Sequence, residues 1–505
     1  MRGPAAVAET HISTVLFDGD LAIKRYKPLR TDFLDHSTVE GRRLDAEREV
    51  ALNRRLAPDV YLGVAEVRGP DGEVCDHLVL MRRLDPTRRL ATLARAGGGR
   101  DEVAAVARVM ATFHAGADRS PAIDAAAAPA ALARRWDDDL AGLADTGFGR
   151  TRAPALALVG DLAHRYLSAR APLLTGRIAD GHVCDGQGDL LADDIFCLDD
   201  GPRILDCLAF ADSLRWGDVV ADVAFLAMDL EHLGRADLAE HLWATYRSAS
   251  GEAHPASLGD LYVAQRAIVR CLVHAMRADQ LAGGADDERG GEGAAAAAEA
   301  ATATGFLALA MSHLRRAEPR LVLVGGSPGT GKSTLARALG DAPGWQVLRS
   351  DEVRRQLGLR AGEHAAGTRE DGIEEGAYAP EATARVYAAL LERARAVLGA
   401  GDSVILDASW RTPAQRRQAA ALADAVGARL DALRCVAPED RCRERVRRRA
   451  AAGTDPSEAT PAVADWMAAA FAPWPEAVEV DTAGPLSDSV RDAKTALEPP
   501  PSDVK

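Results

Sequence analysis

A chain of 505 residues is long enough for two or three domains with substantial cores, and 47% hydrophobic with 27% charged residues is an ordinary composition for a soluble globular protein. Its formal net charge of −14 speaks against nonspecific nucleic-acid binding, which depends on neutralising phosphates with Lys and Arg. The seven cysteines stand singly with no C-x-x-C pair, which argues against a zinc site or a disulfide framework and suits a reducing compartment.

The opening MRGPAAVAET has no apolar stretch of signal-peptide length, and no run approaches ~18 consecutive apolar residues, so a cytoplasmic protein without a membrane partner is expected. Residues 11–30, HISTVLFDGDLAIKRYKPLR, predict a hairpin turning at Asp18-Gly19. Residues 39–57 predict an amphipathic helix with Leu44, Val50, Leu52 and Leu56 among its apolar positions, and 61–67 and 74–81 read as two further strands. Strand, strand, helix, strand, strand is the order of a kinase small lobe. Leu21-Ala22-Ile23-Lys24 is similar to the V-A-I-K strand of protein kinases, whose lysine pairs nucleotide phosphates. Glu47 and Glu49 lie where the helix would offer a glutamate to that lysine. From residue 101 the pattern turns helical, over 101–118, 129–144 and 154–170.

The stretch 180–212, DGHVCDGQGDLLADDIFCLDDGPRILDCLAFAD, places Gly188-Asp189 five residues before Asp194, then a turn at Asp200-Gly201 and an apolar strand leading to Asp206. Phosphoryl transfer needs such a set: one aspartate for the acceptor hydroxyl and further oxygen ligands for Mg²⁺. The stretch resembles the aminoglycoside/choline-kinase-like phosphotransferases, whose loop reads H-G-D-x-x-x-x-N before a strand ending in Asp. ETH, EREVALNRRLAPDVYLGV, GDLLADDIF, ILDCLAF and WGDVVADVAFLAMDLE look more closely like a bacterial two-part family, in which an aminoglycoside-phosphotransferase-like domain is fused to a P-loop ATPase/kinase domain. The resemblance covers roughly residues 9–480. It implies Asp189 as catalytic aspartate, Asp194 and Asp206 as metal ligands, Lys24 as the phosphate-pairing lysine and Glu49 as its better-placed partner. Two positions depart from the family pattern: Gln187 stands where a histidine is expected, and Asp194 replaces an asparagine. Beyond the loop, Asp218 is placed to cap the helix that follows, with Asp222 bracing the catalytic loop, and helices over 234–249 and 259–280 complete a large lobe.

Between 282 and 303 the chain becomes Gly-rich and acidic, then Ala-rich, which reads as a connector running into a helix. The strand Leu321–Val324 then runs into Gly326-Ser327-Pro328-Gly329-Thr330-Gly331-Lys332-Ser333 and Thr334, matching G-x-x-x-x-G-K-[ST] between a strand and a helix. Glycines let backbone N–H groups wrap phosphate oxygens, Lys332 reaches the β- and γ-phosphates, and the Ser333 hydroxyl ligates Mg²⁺. This half binds a nucleoside triphosphate, with ATP and Mg²⁺ as the expected cofactors. Asp351, heading a helix over 351–357, resembles the acceptor-facing aspartate of small-molecule P-loop kinases. Residues 363–378 read as a mobile substrate-side loop, helix 381–398 follows, and the strand Ser403–Leu406 ends in Asp407, a Walker-B-type aspartate. After strand 430–436, Arg441, Arg445 and Arg448 at helical spacing suit a lid over the transferring phosphoryl group.

The expected fold is multidomain α/β and α+β. A two-lobed protein-kinase-like domain spans 9–283 (lobes about 9–90 and 91–283), followed by a linker at 284–305, a P-loop NTPase domain with a parallel sheet at 306–483, and a disordered tail at 484–505. Each domain is expected to phosphorylate a hydroxyl on a small-molecule acceptor. The alternative is a P-loop enzyme regulated by a degenerate, ligand-sensing first domain.

Overall fold

The computed structural model describes residues 6–9, 12–30, 35–283, 291–341, 344–359, 379–452, 457 and 459–497. The expected substrate-side loop at 363–378 lies outside them. The chain divides into two compact units, the first built mainly from residues up to Leu314 and the second mainly from Arg315 onward.

In the first unit, β1 (Ala6–Glu9), β2 (Ser13–Asp18), β3 (Leu21–Tyr26), β4 (Tyr61–Arg68) and β5 (Val74–Arg82) form an antiparallel sheet in the order β1-β2-β3-β5-β4. The edge strand β1 extends the predicted hairpin. The helix Val39–Asn53 begins where the Thr38 side chain accepts from the Gly41 N–H, and it buries Ala46 and Val50 with Tyr26, Tyr61 and Val79. This packing holds the helix across the strand that carries Lys24.

A helical lobe follows, with the helices Arg100–Gly116 and Pro129–Asp145 close to their predicted ranges. Two short antiparallel sheets follow, a long-range pair of β6 (Val183–Asp185) with β9 (Trp216–Asp218), and a hairpin of β7 (Ile195–Leu198) with β8 (Gly201–Ile204). Asp218 caps the helix Val219–His232 by accepting from the Val220 N–H, and that helix is buried along nearly its whole length. A helix this apolar all round can only serve as the lobe's central pillar.

The expected linker is not all linker. Gly291–Ala317 is a single helix, and Phe306, Leu307, Ala310, Met311 and Leu314 on it are buried. Phe306 stacks on His232 with ring centroids 4.0 Å apart, so the boundary between units falls at Leu314/Arg315 rather than at 284–305. Its alanine-rich first half has a linker's composition, but its second half carries an apolar face that packs. By length and mean hydropathy alone Gly293–Ala317 qualifies as a membrane span. Its His313 is nonetheless buried between Asp260 (2.6 Å) and Glu231 (2.9 Å).

The second unit is a five-stranded all-parallel sheet of β10 (Arg320–Gly325), β11 (Gln346–Arg349), β12 (Val404–Asp407), β13 (Arg429–Val436) and β14 (Val478–Asp481), in the order β11-β12-β10-β13-β14. Along β10, Leu321 and Leu323 enter the core on one face and Val322 and Val324 the core on the other. Burial on both faces explains the unbroken apolar run. The expected disordered tail is corrected in part. Leu486–Leu497 is a helix that buries Ala493 and Leu497 beside Val322 and Val480. Leu486, Val490, Ala493 and Leu497 recur at helical spacing, a signal masked by the neighbouring EPPPSD.

Candidate active sites

In a parallel sheet, ligands bind beyond the carboxyl ends of the strands, and there β10 gives way to the glycine-rich loop. Gly326 and Gly329 take φ values of +133° and +85°; a Cβ at Gly329 would lie 2.4 Å from the Cys442 carbonyl oxygen. The loop therefore needs glycine there for both conformation and space. Thr330 Oγ1 donates to the Ser327 carbonyl at 2.8 Å and Thr482 Oγ1 to the Thr330 carbonyl at 2.6 Å, bracing the turn. Lys332 Nζ donates to the Ser327 carbonyl at 2.9 Å, and the helix Lys332–Asp341 starts at that residue. Loop amides and helix N-terminus together make an anion cradle.

Asp407 ends β12 directly beside Val324 of β10, which sets its carboxylate at the base of the loop. Burial raises its pKa, opposed by the Lys332 charge, a hydrogen bond with Ser333 and the Arg349 charge. Arg349 donates from Nη2 to Ser333 Oγ and from Nε to Asp407 Oδ2, each at 3.1 Å. The pair predicted to bind Mg²⁺ thus holds positive charge already, in the form of a guanidinium, and its oxygen donors suit a hard cation. Asp351 sits in the first turn of the helix Ser350–Gln356, its Oδ1 accepting from Arg354 Nη1 at 2.6 Å.

Lys332, Ser333, Asp351 and Asp407 line one open cleft of about 730 Å³. Gly329, Gly331, Lys332, Ser333, Thr334 and Arg445 line a second, of about 970 Å³. Arg445 donates to the carbonyls of Thr482 (2.7 Å) and Gly329 (3.3 Å), and Arg441 bonds the Ala483 carbonyl. Arg448, predicted beside Arg445, is a correction: it is exposed and lines neither cleft, whereas Arg449 lines both. On the helix Glu439–Ala452 the face that meets the loop repeats at four residues, not three. Arg349 was also missed; an arginine at a strand end carries no motif.

In the first unit, Lys24 Nζ lies 2.9 Å from Glu49 Oε1 and 3.9 Å from Asp206 Oδ1. Burial works against the Lys24 charge, yet the Glu49 and Asp206 carboxylates outweigh it and hold the pKa above the ordinary lysine value. Glu47, the other candidate, points outward to Arg43 at 2.7 Å. Asp206 is one of two described non-glycine residues with positive φ, at +58°; the other is Trp410, at +53°. Lys24, Glu49, Asp189 and Asp206 line a cleft of about 840 Å³.

The loop that carries Asp189 is tied from both sides. Asp222 accepts from the Gln187 N–H (2.6 Å) and the Gly188 N–H (2.9 Å), with His114 Nε2 at 3.3 Å. Gln187, in the expected histidine position, accepts from the Asp189 N–H at 2.6 Å and donates to the Leu205 carbonyl at 3.1 Å. It thereby links the loop to the strand end that presents Asp206. Asp185, four residues before Asp189, is engaged by Arg215 at 2.9 Å. Burial lifts Asp189 to about 6, Arg270 opposing and Asp206 adding to the rise. Asp194 is raised as well, first by burial and then by Asp206 and Asp189. The three carboxylates thus disfavour one another's charge, although among the described residues no group of three His, Cys, Asp or Glu side chains is placed to hold a metal ion.

Against known proteins, residues 321–474 match the family model of the AAA domain. Over 494 residues the chain is 41% identical to the uncharacterized protein Rv2004c of Mycobacterium tuberculosis, covering 96% of this chain and 94% of that protein. The chain belongs to the Rv2004c family. In this Rv2004c-family chain a first unit with a five-stranded antiparallel sheet and a helical lobe precedes the AAA domain. Among solved structures, a choline/ethanolamine kinase family protein from Mesorhizobium loti is 17% identical with a TM-score of 0.36, over 62% of this chain and 93% of its own. A gluconokinase from Sinorhizobium meliloti is 20% identical with a TM-score of 0.27, over 36% of this chain and 91% of its own.

Proposed function

We propose that the protein is an ATP-dependent phosphotransferase whose two kinase-like units each move the γ-phosphoryl group of Mg-ATP to a hydroxyl of a small molecule. The observation that carries this reading is the convergence of Lys332, Ser333, Asp407 and Asp351 on one cleft at the carboxyl edge of the parallel sheet. An NTP-binding loop alone would serve hydrolysis or switching; a carboxylate facing the loop across an open cleft serves an acceptor. Asp351 takes the hydroxyl proton as the acceptor oxygen bonds to the γ-phosphorus, and the bond to the β,γ-bridging oxygen breaks to release ADP. Lys332, Arg445 and the loop amides hold the phosphates in line and stabilise the spreading negative charge. Magnesium, when bound by Ser333 and Asp407, supplies further neutralisation of the β- and γ-oxygens.

In the first unit Lys24, oriented by Glu49, would pair the phosphates, Asp189 would accept the hydroxyl proton, and Asp194 and Asp206 would hold the metal. The Gln187 bridge supports a working loop despite the missing histidine. A second reading draws on Asp194, a carboxyl in the asparagine position whose charged form burial, Asp206 and Asp189 disfavour; that departure suits a unit that senses a ligand and regulates its neighbour.

Calorimetric titration with Mg-ATP tests both. Two sites per chain that fall to one in Lys332→Ala support two phosphotransfer units; one site that falls to none removes the first unit from the proposal. Acceptor phosphorylation that survives Asp189→Ala unchanged supports the regulatory reading.

A further inference from the structure

The cleft in front of Asp351 is lined by more basic than acidic side chains. Lys332, Arg354, Arg411 and Arg449 face two carboxylates, Asp351 and Asp407. Asp351 is engaged by Arg354 at 2.6 Å and Asp407 by Arg349 at 3.1 Å. Arg411 has no carboxylate partner among the described residues and instead lies over the Trp466 ring, 4.3 Å from its centroid. It lines the Asp351 cleft and not the neighbouring one. Arg449 lines both, and its buried Nη2 has no hydrogen-bond partner among the described residues.

The backbone that aims Arg411 is built at a cost. Trp410 is held at φ +53°, a conformation that strains a bulky residue. It persists because every polar group there is tied. The Trp410 N–H donates to Tyr387 OH (3.0 Å), the indole N–H to the Leu406 carbonyl (3.2 Å), and Arg416 Nε to the Trp410 carbonyl (2.8 Å). Arg416 is buried and structural. Its remaining donors go to the Pro473 and Ala472 carbonyls at 2.5 and 2.8 Å. Strain held this firmly beside a cleft positions the next side chain. A guanidinium stacked on an indole keeps its edge free to meet an oxyanion with paired N–H donors.

We infer that the acceptor of the P-loop unit carries an oxyanion, a carboxylate or a phosphate ester, besides the hydroxyl that is phosphorylated, and that Arg411 binds it. This rests on the Asp351 cleft being the acceptor site. Arg449, open to both clefts, would meet the phosphoryl group in transit.

The test uses the full chain carrying Asp189→Ala, γ-labelled ATP, Mg²⁺, and an ultrafiltered bacterial small-molecule extract split by anion exchange into retained and unretained fractions. Label is expected to enter compounds of the retained fraction. In Arg411→Ala, half-saturation by that fraction should rise about tenfold or more, the usual effect of losing a charge-assisted hydrogen bond, with a smaller rise in Arg411→Lys. Phosphatase treatment of the fraction beforehand distinguishes the sources. Surviving transfer identifies a carboxylate acceptor, and lost transfer a phosphate ester. Transfer confined to unretained compounds overturns the inference, a result that needs no Arg411 variant to fold. Lys332-dependent ATP hydrolysis without transfer to either fraction overturns the acceptor-site reading itself, and the inference with it.

Discussion

Arg349 Nε lies 3.1 Å from Asp407 Oδ2 while Nη2 of the same guanidinium reaches Ser333, so one cation spans the two oxygen groups that a P-loop enzyme offers to its metal. Glu352, 3.4 Å from Arg349 Nη1, would remain as a partner for the guanidinium if a metal bound by Ser333 and Asp407 displaced it. Removing the arginine leaves Asp407 buried without that counter-charge, which typically costs about 1–3 kcal/mol. Arg349→Ala should therefore melt earlier than the parent chain without nucleotide, yet gain more in melting temperature from Mg-ATP. Equal gains in both proteins, read by thermal-shift titration, would show that Arg349 and the metal do not share a place.

Gln187 makes a prediction about the other unit. Its side chain ties the Asp189 N–H to the Leu205 carbonyl, each hydrogen bond contributing about 1 kcal/mol. Gln187→Ala should loosen the loop, giving faster hydrogen exchange at Asp189 and roughly tenfold slower Asp189-dependent transfer. Gln187→His should recover much of both, since an imidazole also offers one donor and one acceptor. Unchanged exchange in the alanine variant would mean that Asp222 alone holds the loop.

Where sequence reading succeeded, chemistry and spacing coincide. The nucleotide loop was legible because its fixed glycines, Lys332 and Ser333 are consecutive, and the β10–β12 register then delivers Asp407 to the same point. Lys24 and Glu49 meet across 25 residues because a strand and an amphipathic helix were both recognisable. What escaped depends on tertiary packing. Arg349 and Arg449 lie in no motif, and the face of an arginine-rich helix that meets the loop is chosen by where buried Val446 packs. The helices at 291–317 and 486–497 were hidden by composition. Alanine and proline signals describe a chain locally and say nothing of the groove waiting for it.

Arg445 and Arg448 separate contact from composition. Arg445 ties the Thr482 carbonyl to Gly329 in the loop, whereas Arg448 is exposed. Arg445→Ala should weaken Mg-ATP binding by the P-loop unit about tenfold, the effect of losing charge-assisted hydrogen bonds that shape the cradle. Arg448→Ala should change stability by no more than about 0.5 kcal/mol and leave nucleotide affinity as it was. Calorimetry on the two variants decides. Equal losses would mean that the whole helix face, and not its contact with the loop, supplies the attraction.

Acid should weaken a buried network at the start of the first unit's central helix. Arg177 pairs with Asp218 (2.5 and 2.8 Å) and Glu252 (2.6 Å), while Glu252 also bonds His254. Burial alone would raise the Glu252 pKa, but His254 and Arg177 outweigh it and hold the group at about 2. A carboxyl whose folded pKa is depressed contributes stability that is fully present above its unfolded pKa, about 4.5, and is lost as pH falls through the folded value. Glu252→Gln should therefore melt below the parent chain at neutral pH, with the gap closing between about pH 4.5 and 2. Asp218 also caps the central helix Val219–His232, so the network anchors the helix whose Asp222 holds the Gln187-Gly188 turn. Melting curves across that pH range check the prediction. A gap that stays constant would show that packing, and not the Glu252 charge, stabilises this corner of the lobe.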